Sequence, residues 1–406
     1  MHHMRSTTRR LGAILLPAAL LAAGLQLAGS PAHGAPTSSP EPRLAPSASA
    51  ISDSWIVVLK DGTKSSPDSV ARELVSRNQG RLTHVYSSAV KGFATKMTQT
   101  QARKLAADSR VAYVEQDSKV ALSTTQTGAT WGIDRIDQRN LPLSTTYTYN
   151  TTASNVRVYV IDTGLRTTHN EFGGRATFGT DTVGDGQNGN DCNGHGTHVA
   201  GTAAGSTYGV AKGASIVGVR VLNCSGSGST SGVIAGVDWV TANAIEPAVA
   251  NMSLGGSAST SLDNAVKNSI ASGVSYTLAA GNGDIFGNPL DACTTSPART
   301  ADGITVGATD SADKRASWSN YGTCLDLFAP GVSITSAWNS SNTSTNTISG
   351  TSMAAPHTAG AAALYLATNP TATPAQVRDA LVNGATNGVV QDPKTGSPNR
   401  LLYTLF

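Results

Sequence analysis

Charge is scarce in this chain of 406 residues: Asp, Glu, Lys and Arg together make up 14%, where soluble domains usually carry about 25%. The two signs nearly cancel, 26 acidic against 29 basic, and no dense basic run occurs beyond the N-terminus. That excludes the electrostatic footprint of a nucleic-acid or membrane-surface binder. Apart from a stretch near the N-terminus, no segment is apolar for long enough to span a bilayer. The triplet DTG occurs once, at Asp162–Gly164, and DSG not at all. An aspartic peptidase, which needs two such loops facing each other, is excluded on that count. Cysteine is missing from the first 191 residues; Cys192, Cys224, Cys293 and Cys324 all follow. What is abundant is glycine, 42 residues, in a chain long enough for a large core and more than one folding unit.

The N-terminus runs from Arg5, Arg9 and Arg10 through an apolar stretch beginning at Leu11 to the small-residue stretch SPAHGA ending at Ala35. That is the order of a secretory signal peptide over residues 1–35. The competing reading, an anchor that stays in the membrane, is disfavoured by Pro17 and the small residues after it. Export implies an oxidising destination, so the four cysteines are expected to pair. Of three connectivities, Cys192–Cys224 with Cys293–Cys324 is preferred, because each closes a local loop of about 30 residues. Residues 36–51, rich in Pro and Ser, read as a linker.

Residues 52–123 alternate as strand, helix, strand, strand, helix, strand, beginning with SWIVVLK and ending with VAYVEQ. The order βαββαβ predicts a small α+β open-faced sandwich. A unit this short has a small core, which points to a role on a partner surface rather than independent chemistry. From Thr124 onward apolar runs at 156–162, 215–222, 248–254, 273–280 and 303–308 alternate with helical stretches. One of these places Val233, Val237 and Val240 on a single face. Strands alternating with helices predict an α/β domain over 124–406, with a parallel β-sheet flanked by helices. Reactive side chains in such a sheet collect at the carboxyl ends of its strands.

Four stretches carry chemistry at such positions. Asp162 ends the most apolar strand. NGHGTHVAGT, Asn193–Thr202, turns tightly into a helix and offers His195 and His198, which cannot both be a base. Together with Cys192 they space as CxxHxxH, as in a zinc site, but a zinc ligand must be free and Cys192 has a disulfide partner available. AAGNG places Asn282 in a flexible turn, either as a turn residue or as a hydrogen-bond donor to an oxyanion. In ISGTSMAAPHTAGAAALYL, Ser352 stands at the mouth of a buried helix, as a helix cap or as a nucleophile. Acyl transfer needs a nucleophile, a base, a carboxylate and oxyanion donors. Asp162, His198, Asn282 and Ser352 are read as that set.

VIDTG, NGHGTHVAGT, NMSLGG, AAGN and GTSMAAPH together resemble the subtilisin-type serine peptidases, in the proteinase K branch near the aqualysin-like enzymes, in Asp, His, Ser order. The resemblance runs from about Ala129 onward, and residues 52–123 are similar to the family's inhibitory propeptide. It implies a subtilisin-like fold with Ser352 as nucleophile, His198 as base and then acid, Asp162 orienting the imidazole, and Asn282 with the Ser352 N–H as oxyanion donors. Substrate would pair as a strand between Gly226–Gly228 and Ser253–Gly255, with Leu254, Ala279 and Gly281 lining a pocket for apolar or aromatic P1 residues. Calcium is implied at Asp326 with the carbonyls of Ala301 and Gly303, and at Asp134, Asp137 and Gln138. The expected protein is a secreted, extracellular, monomeric endopeptidase of proteins and peptides, with its own propeptide as chaperone and inhibitor. No nucleic-acid partner, no membrane after signal removal, and no accessory domain after NRLLYTLF are expected. The competing class is a catalytically inactive relative that binds proteins.

Overall fold

The computed structural model describes residues 41–45, 50–118 and 124–406. The expected signal peptide, parts of the linker and Ser123 lie outside them. Two compact units are present, one over Trp55–Val114 and one over Glu115–Phe406.

In the first unit, Ser66 accepts the Ser69 N–H and Pro67 presets the opening turn of helix α1 (Pro67–Arg77). A reciprocal Thr98–Gln101 capping box starts α2 (Gln99–Ala106). With strands β1 (Ala50–Leu59), β2 (Arg81–Tyr86), β3 (Gly92–Lys96) and β4 (Val111–Ser118) they give the expected βαββαβ order, in a sheet arranged β2-β3-β1-β4. Val70 and Leu74 of α1 and Leu105 of α2 bury against Trp55, Val57 and Phe93 as one small core.

The second unit continues with β5 (Thr124–Thr127), α3 (Trp131–Ile136), β6 (Thr146–Tyr149), β7 (Arg157–Asp162), β8 (Ala176–Asp181), α4 (His195–Ala204), β9 (Ser215–Arg220), α5 (Thr230–Asn243) and β10 (Ala248–Met252). There follow β11 (Gly256–Ser257), α6 (Thr260–Ala271), β12 (Ser275–Ala279), β13 (Thr295–Ser296), β14 (Ile304–Thr309), β15 (Leu327–Pro330), β16 (Ile334–Ala337) and β17 (Thr345–Ile348). The chain closes with α7 (Thr351–Thr368), α8 (Pro374–Gly384), β18 (Thr386–Asn387) and β19 (Arg400–Leu401).

Nine strands form one sheet in the order β18-β19-β15-β14-β12-β10-β7-β9-β8. Its pairs are parallel except β18 with β19 at one edge. Alternate residues of β7 explain why both faces need cover. Val158 and Val160 enter the core beneath α4 and α7, whereas Tyr159 and Ile161 enter the core beneath α5 and α6. α7 is buried along nearly its whole length. Its small Ala and Gly side chains let it lie close against the sheet. Two disulfides staple the unit, Cys192–Cys224 and Cys293–Cys324, the expected pairing. Among the described residues no helix is long and apolar enough to cross a membrane.

Candidate active site

The sheet's strand order reverses between the neighbours β7 and β10: β9 lies outward on one side, β12 and β14 on the other. Loops leaving the carboxyl ends of strands diverge at such a point and open a crevice. Asp162 ends β7, Ser253 follows β10, Asn282 follows β12, and the first turns of α4 and α7 carry His195 and Ser352.

Asp162 is fully buried. Its Oδ1 accepts the Thr163 N–H at 2.7 Å and faces His195 Nδ1 at 2.8 Å. With Nδ1 turned to the carboxylate, Nε2 is the ring nitrogen left to exchange a proton. Burial pulls the His195 pKa down, but the charge of Asp162, its hydrogen bond and the charge of Asp191 outweigh it, and the net shift is upward.

His198 does not join this group, which corrects the sequence expectation. It lies one helical turn deeper along α4, about 4.5 Å along the axis, with no exposed surface. Its Nε2 bonds the Ile334 carbonyl at 3.0 Å, and Trp338 packs edge-on against the ring. Burial is the main reason its pKa falls to about 4, so the imidazole is a neutral packing element. Asp162 meets the first histidine of the motif because only that one stands at the open end of the helix. The structure likewise brings no zinc cluster together: among the described residues there is no group of three metal-binding side chains, and Cys192 is in a disulfide.

Asp191, which sequence reading passed over, holds this turn in place. Its Oδ1 accepts from Thr163 Oγ1 and from the N–H groups of Asn193 and Gly194; its Oδ2 accepts from the N–H and hydroxyl of Thr197, all at 2.6–3.0 Å. The signal was present in the sequence, since an Asp preceding a glycine turn and a helix start is an Asx-type cap. Gly196 lets the helix start touch the turn that follows β7: an added Cβ would fall 2.2 Å from the Gly164 carbonyl oxygen.

The start of α7 is capped from outside. Asn282 Oδ1 accepts the Thr351 N–H at 2.8 Å and its hydroxyl at 2.9 Å, so the Asn282 amide must present its Nδ2 elsewhere. The Ser352 N–H has no partner among the described residues. A Cβ built on Gly350 would stand 3.6 Å from both Asn282 Nδ2 and Ser352 N. Two donors therefore border one small space, at the positive end of an 18-residue helix. Pro356, inside α7, has no N–H to give the Ser352 carbonyl. Ser253 Oγ occupies that acceptor instead at 2.8 Å, while Ser352 Oγ donates to the Ser253 carbonyl at 3.1 Å. The serine is thus the second residue of the helix, and Gly350 holds the cap position.

Leu254, Gly255, Ala279, Gly281, Asn282 and Ser352 line one cleft of about 480 Å³. His195, Gly226, Gly228, Ser253, Leu254 and Gly255 line an adjoining one of about 420 Å³. Every residue expected to contact substrate borders one of the two. Asn251, buried behind the cleft, donates to Ser253 Oγ at 2.9 Å and accepts from Thr277, fixing that hydroxyl.

The two expected calcium positions differ. Asp326 Oδ1 is occupied by the Arg378 guanidinium and Oδ2 by the Thr305 N–H, so Asp326 with Ala301 and Gly303 does not fit a cation. Asp137 is nearly buried beside Asp134, with its Oδ1 lacking any partner. Burial first, and then repulsion from Asp134, push its pKa up to about 6. The Gln138 amide faces the carbonyls of Asn140 and Pro142. Asp134 is itself occupied, Oδ1 by the N–H and hydroxyl of Ser144 and Oδ2 by the Thr145 N–H, so the feature of this set that fits a hard cation is the one unsatisfied, buried oxygen of Asp137.

The subtilase family profile matches residues 153–400, and that of the I9 peptidase inhibitors residues 54–123. The extracellular serine proteinase of Thermus sp. (strain Rt41A) is 58% identical over 326 residues, 80% of this chain and 78% of that protein. Alkaline serine exoprotease A of Vibrio alginolyticus is 51% identical over 377 residues, 89% and 69% of the two chains. A crystal structure of a cold-adapted subtilisin-like serine proteinase superposes with a TM-score of 0.66 at 57% identity, covering 69% of this chain and all of that one.

Proposed function

The chain belongs to the subtilase family, an extracellular serine endopeptidase with an I9 inhibitor domain in the same polypeptide, and we propose that it hydrolyses peptide bonds with Ser352, His195 and Asp162. The observation that carries this is the 2.8 Å contact between His195 Nδ1 and buried Asp162, at the strand edge where Ser352 and Asn282 share a cleft. Ser352 Oγ attacks the carbonyl carbon as its proton passes to His195 Nε2, and Asp162 stabilises the imidazolium that results. The oxyanion sits between Asn282 Nδ2 and the Ser352 N–H. His195 then protonates the leaving amine, and water repeats the sequence on the acyl-enzyme. A serine-directed fluorophosphonate should label mature protein once, at Ser352; folded protein that takes no label would mark the chain as a binding module instead.

Small, apolar Leu254, Ala279 and Gly281 supply no fixed charge, which favours apolar or aromatic P1 side chains over basic ones. The inhibitor domain is read as residues 52–123, removed by the enzyme itself near Ser123 and Thr124.

Asn282→Ala should lower kcat by about 10²–10³, the loss known for the corresponding donor in subtilisin, with KM little changed. Steady-state kinetics on a short peptide anilide measures it. An equal rise in KM would make Asn282 a binding residue instead.

Calcium at Asp134, Asp137 and Gln138 would neutralise two carboxylates that now repel each other. In metal-free protein the raised pKa of Asp137 means that stability declines as pH rises from about 4, the unfolded value, to about 6. Added calcium should reverse that decline, raising the melting temperature more at pH 7 than at pH 5. A calcium effect that survives Asp137→Asn at full size would place the ion elsewhere.

A further inference from the structure

Three residues beyond Asn282 the chain turns outward and displays two large apolar side chains to water. Ile285 is 94% exposed and Phe286 82%, the highest values among the described large hydrophobics. They are held there firmly. Asp284 Oδ1 accepts the N–H groups of Phe286 and Asn288, both at 2.9 Å, and Oδ2 accepts from the Asn288 amide at 3.1 Å. Backbone bonds from Asp284 N to Asn288 O and from Gly287 N to Asp284 O, each 2.9 Å, close the turn. At the base, buried Asn320 accepts from both Gly283 N and Leu290 N, at 3.0 and 2.8 Å, and its amide donates to the Ala280 carbonyl.

The two feet of this loop, Gly283 and Leu290, line the same cleft as Ser352. The loop that carries the exposed pair is therefore rooted in the wall of the catalytic cleft, directly after the turn that holds Asn282. Leaving an Ile and a Phe in water forgoes the burial energy of both side chains, and the Asp284 bonds shape the turn so that they face outward.

We propose that Ile285 and Phe286 form an exosite for apolar side chains of protein substrates, on the segment flanking the bond to be cut. The proposal rests on the peptidase reading. It adds a contact that short peptides do not reach and folded or partly unfolded proteins do.

The test compares the mature enzyme with the double variant Ile285→Ser, Phe286→Ser on two substrates: a tetrapeptide anilide that ends at the scissile bond, and casein. Both side chains are exposed, so the thermal midpoint should not move. The expected result is kcat/KM on the anilide within about twofold of the parent and a loss of about tenfold on casein, carried by KM. Equal losses on both substrates, or no loss on casein, overturn the exosite. Sedimentation of both proteins covers the rival occupant: a parent dimer that becomes a monomer in the variant assigns the pair to self-association and also overturns it. If the parent fails to cleave the anilide, the peptidase reading falls instead, so the two failures are distinct.

Discussion

His195→Ala should abolish hydrolysis almost completely, by about the 10⁶-fold in kcat that such a removal costs in subtilisin, whereas His198→Ala should leave the chemistry in place and weaken the fold. The two histidines are three residues apart in one motif, and their surroundings are opposite. His195 has a carboxylate at 2.8 Å and borders the cleft. His198 has no exposed surface and serves the Ile334 carbonyl. Removing the His198 ring opens a cavity and strands that carbonyl, a loss of about 2–4 kcal/mol that appears as a lower melting temperature. Per mole of titrated active sites, the His198 variant should keep its kcat within a few fold. Folded His198→Ala without activity, next to an active His195→Ala, would reverse the assignment. The pH profile gives an independent reading. His195 must be neutral to accept a proton, and its pKa is raised, so kcat/KM should fall as pH drops through a value above the ordinary 6.5. Asp162→Asn, by removing the charge that raises it, should move that limb to lower pH.

The strands and helices that bury two faces were readable from sequence, because a run such as VRVYVID admits few alternatives once glycine turns bound it. The strand expected at 248–254 is observed at Ala248–Met252, and Val233, Val237 and Val240 are buried together as their spacing requires. What escaped were elements without such a pattern. β8, ATFGTD, lies at the sheet edge with mostly half-exposed side chains. β15 has four residues and ends in proline. Within the site, the residue types were readable and their partners were not. Nothing local distinguishes His195 from His198, since the choice depends on which one the turn presents to Asp162, and that turn is set by Asp191 through five hydrogen bonds to Thr163 after β7 and to Asn193, Gly194 and Thr197 of the histidine motif. Asp326 failed as a cation ligand for a similar reason: Arg378, 52 residues away in sequence, reaches it in the fold.

Ser352→Ala should give a protein that folds, takes no fluorophosphonate and stays at full length after export. The fold should tolerate the change because it deletes one oxygen from a half-buried side chain. The Ser253 carbonyl loses one donor, but the bond from Ser253 Oγ to the Ser352 carbonyl remains, as does the cap that Asn282 places on Thr351. The melting temperature should therefore stay close to that of the parent proform. Loss of activity can then be assigned to the missing nucleophile, with a fall of about 10⁶ in kcat, the size found for the same removal in subtilisin. The unprocessed length tests the separate claim that the enzyme cuts its own junction near Ser123 and Thr124. Expressed in a host without other proteases, the variant should run as one species that retains the inhibitor domain, and a trace of active parent enzyme should convert it. A mature-sized product from the variant alone would show that another peptidase removes the domain, while leaving the assignment of Ser352 to hydrolysis intact.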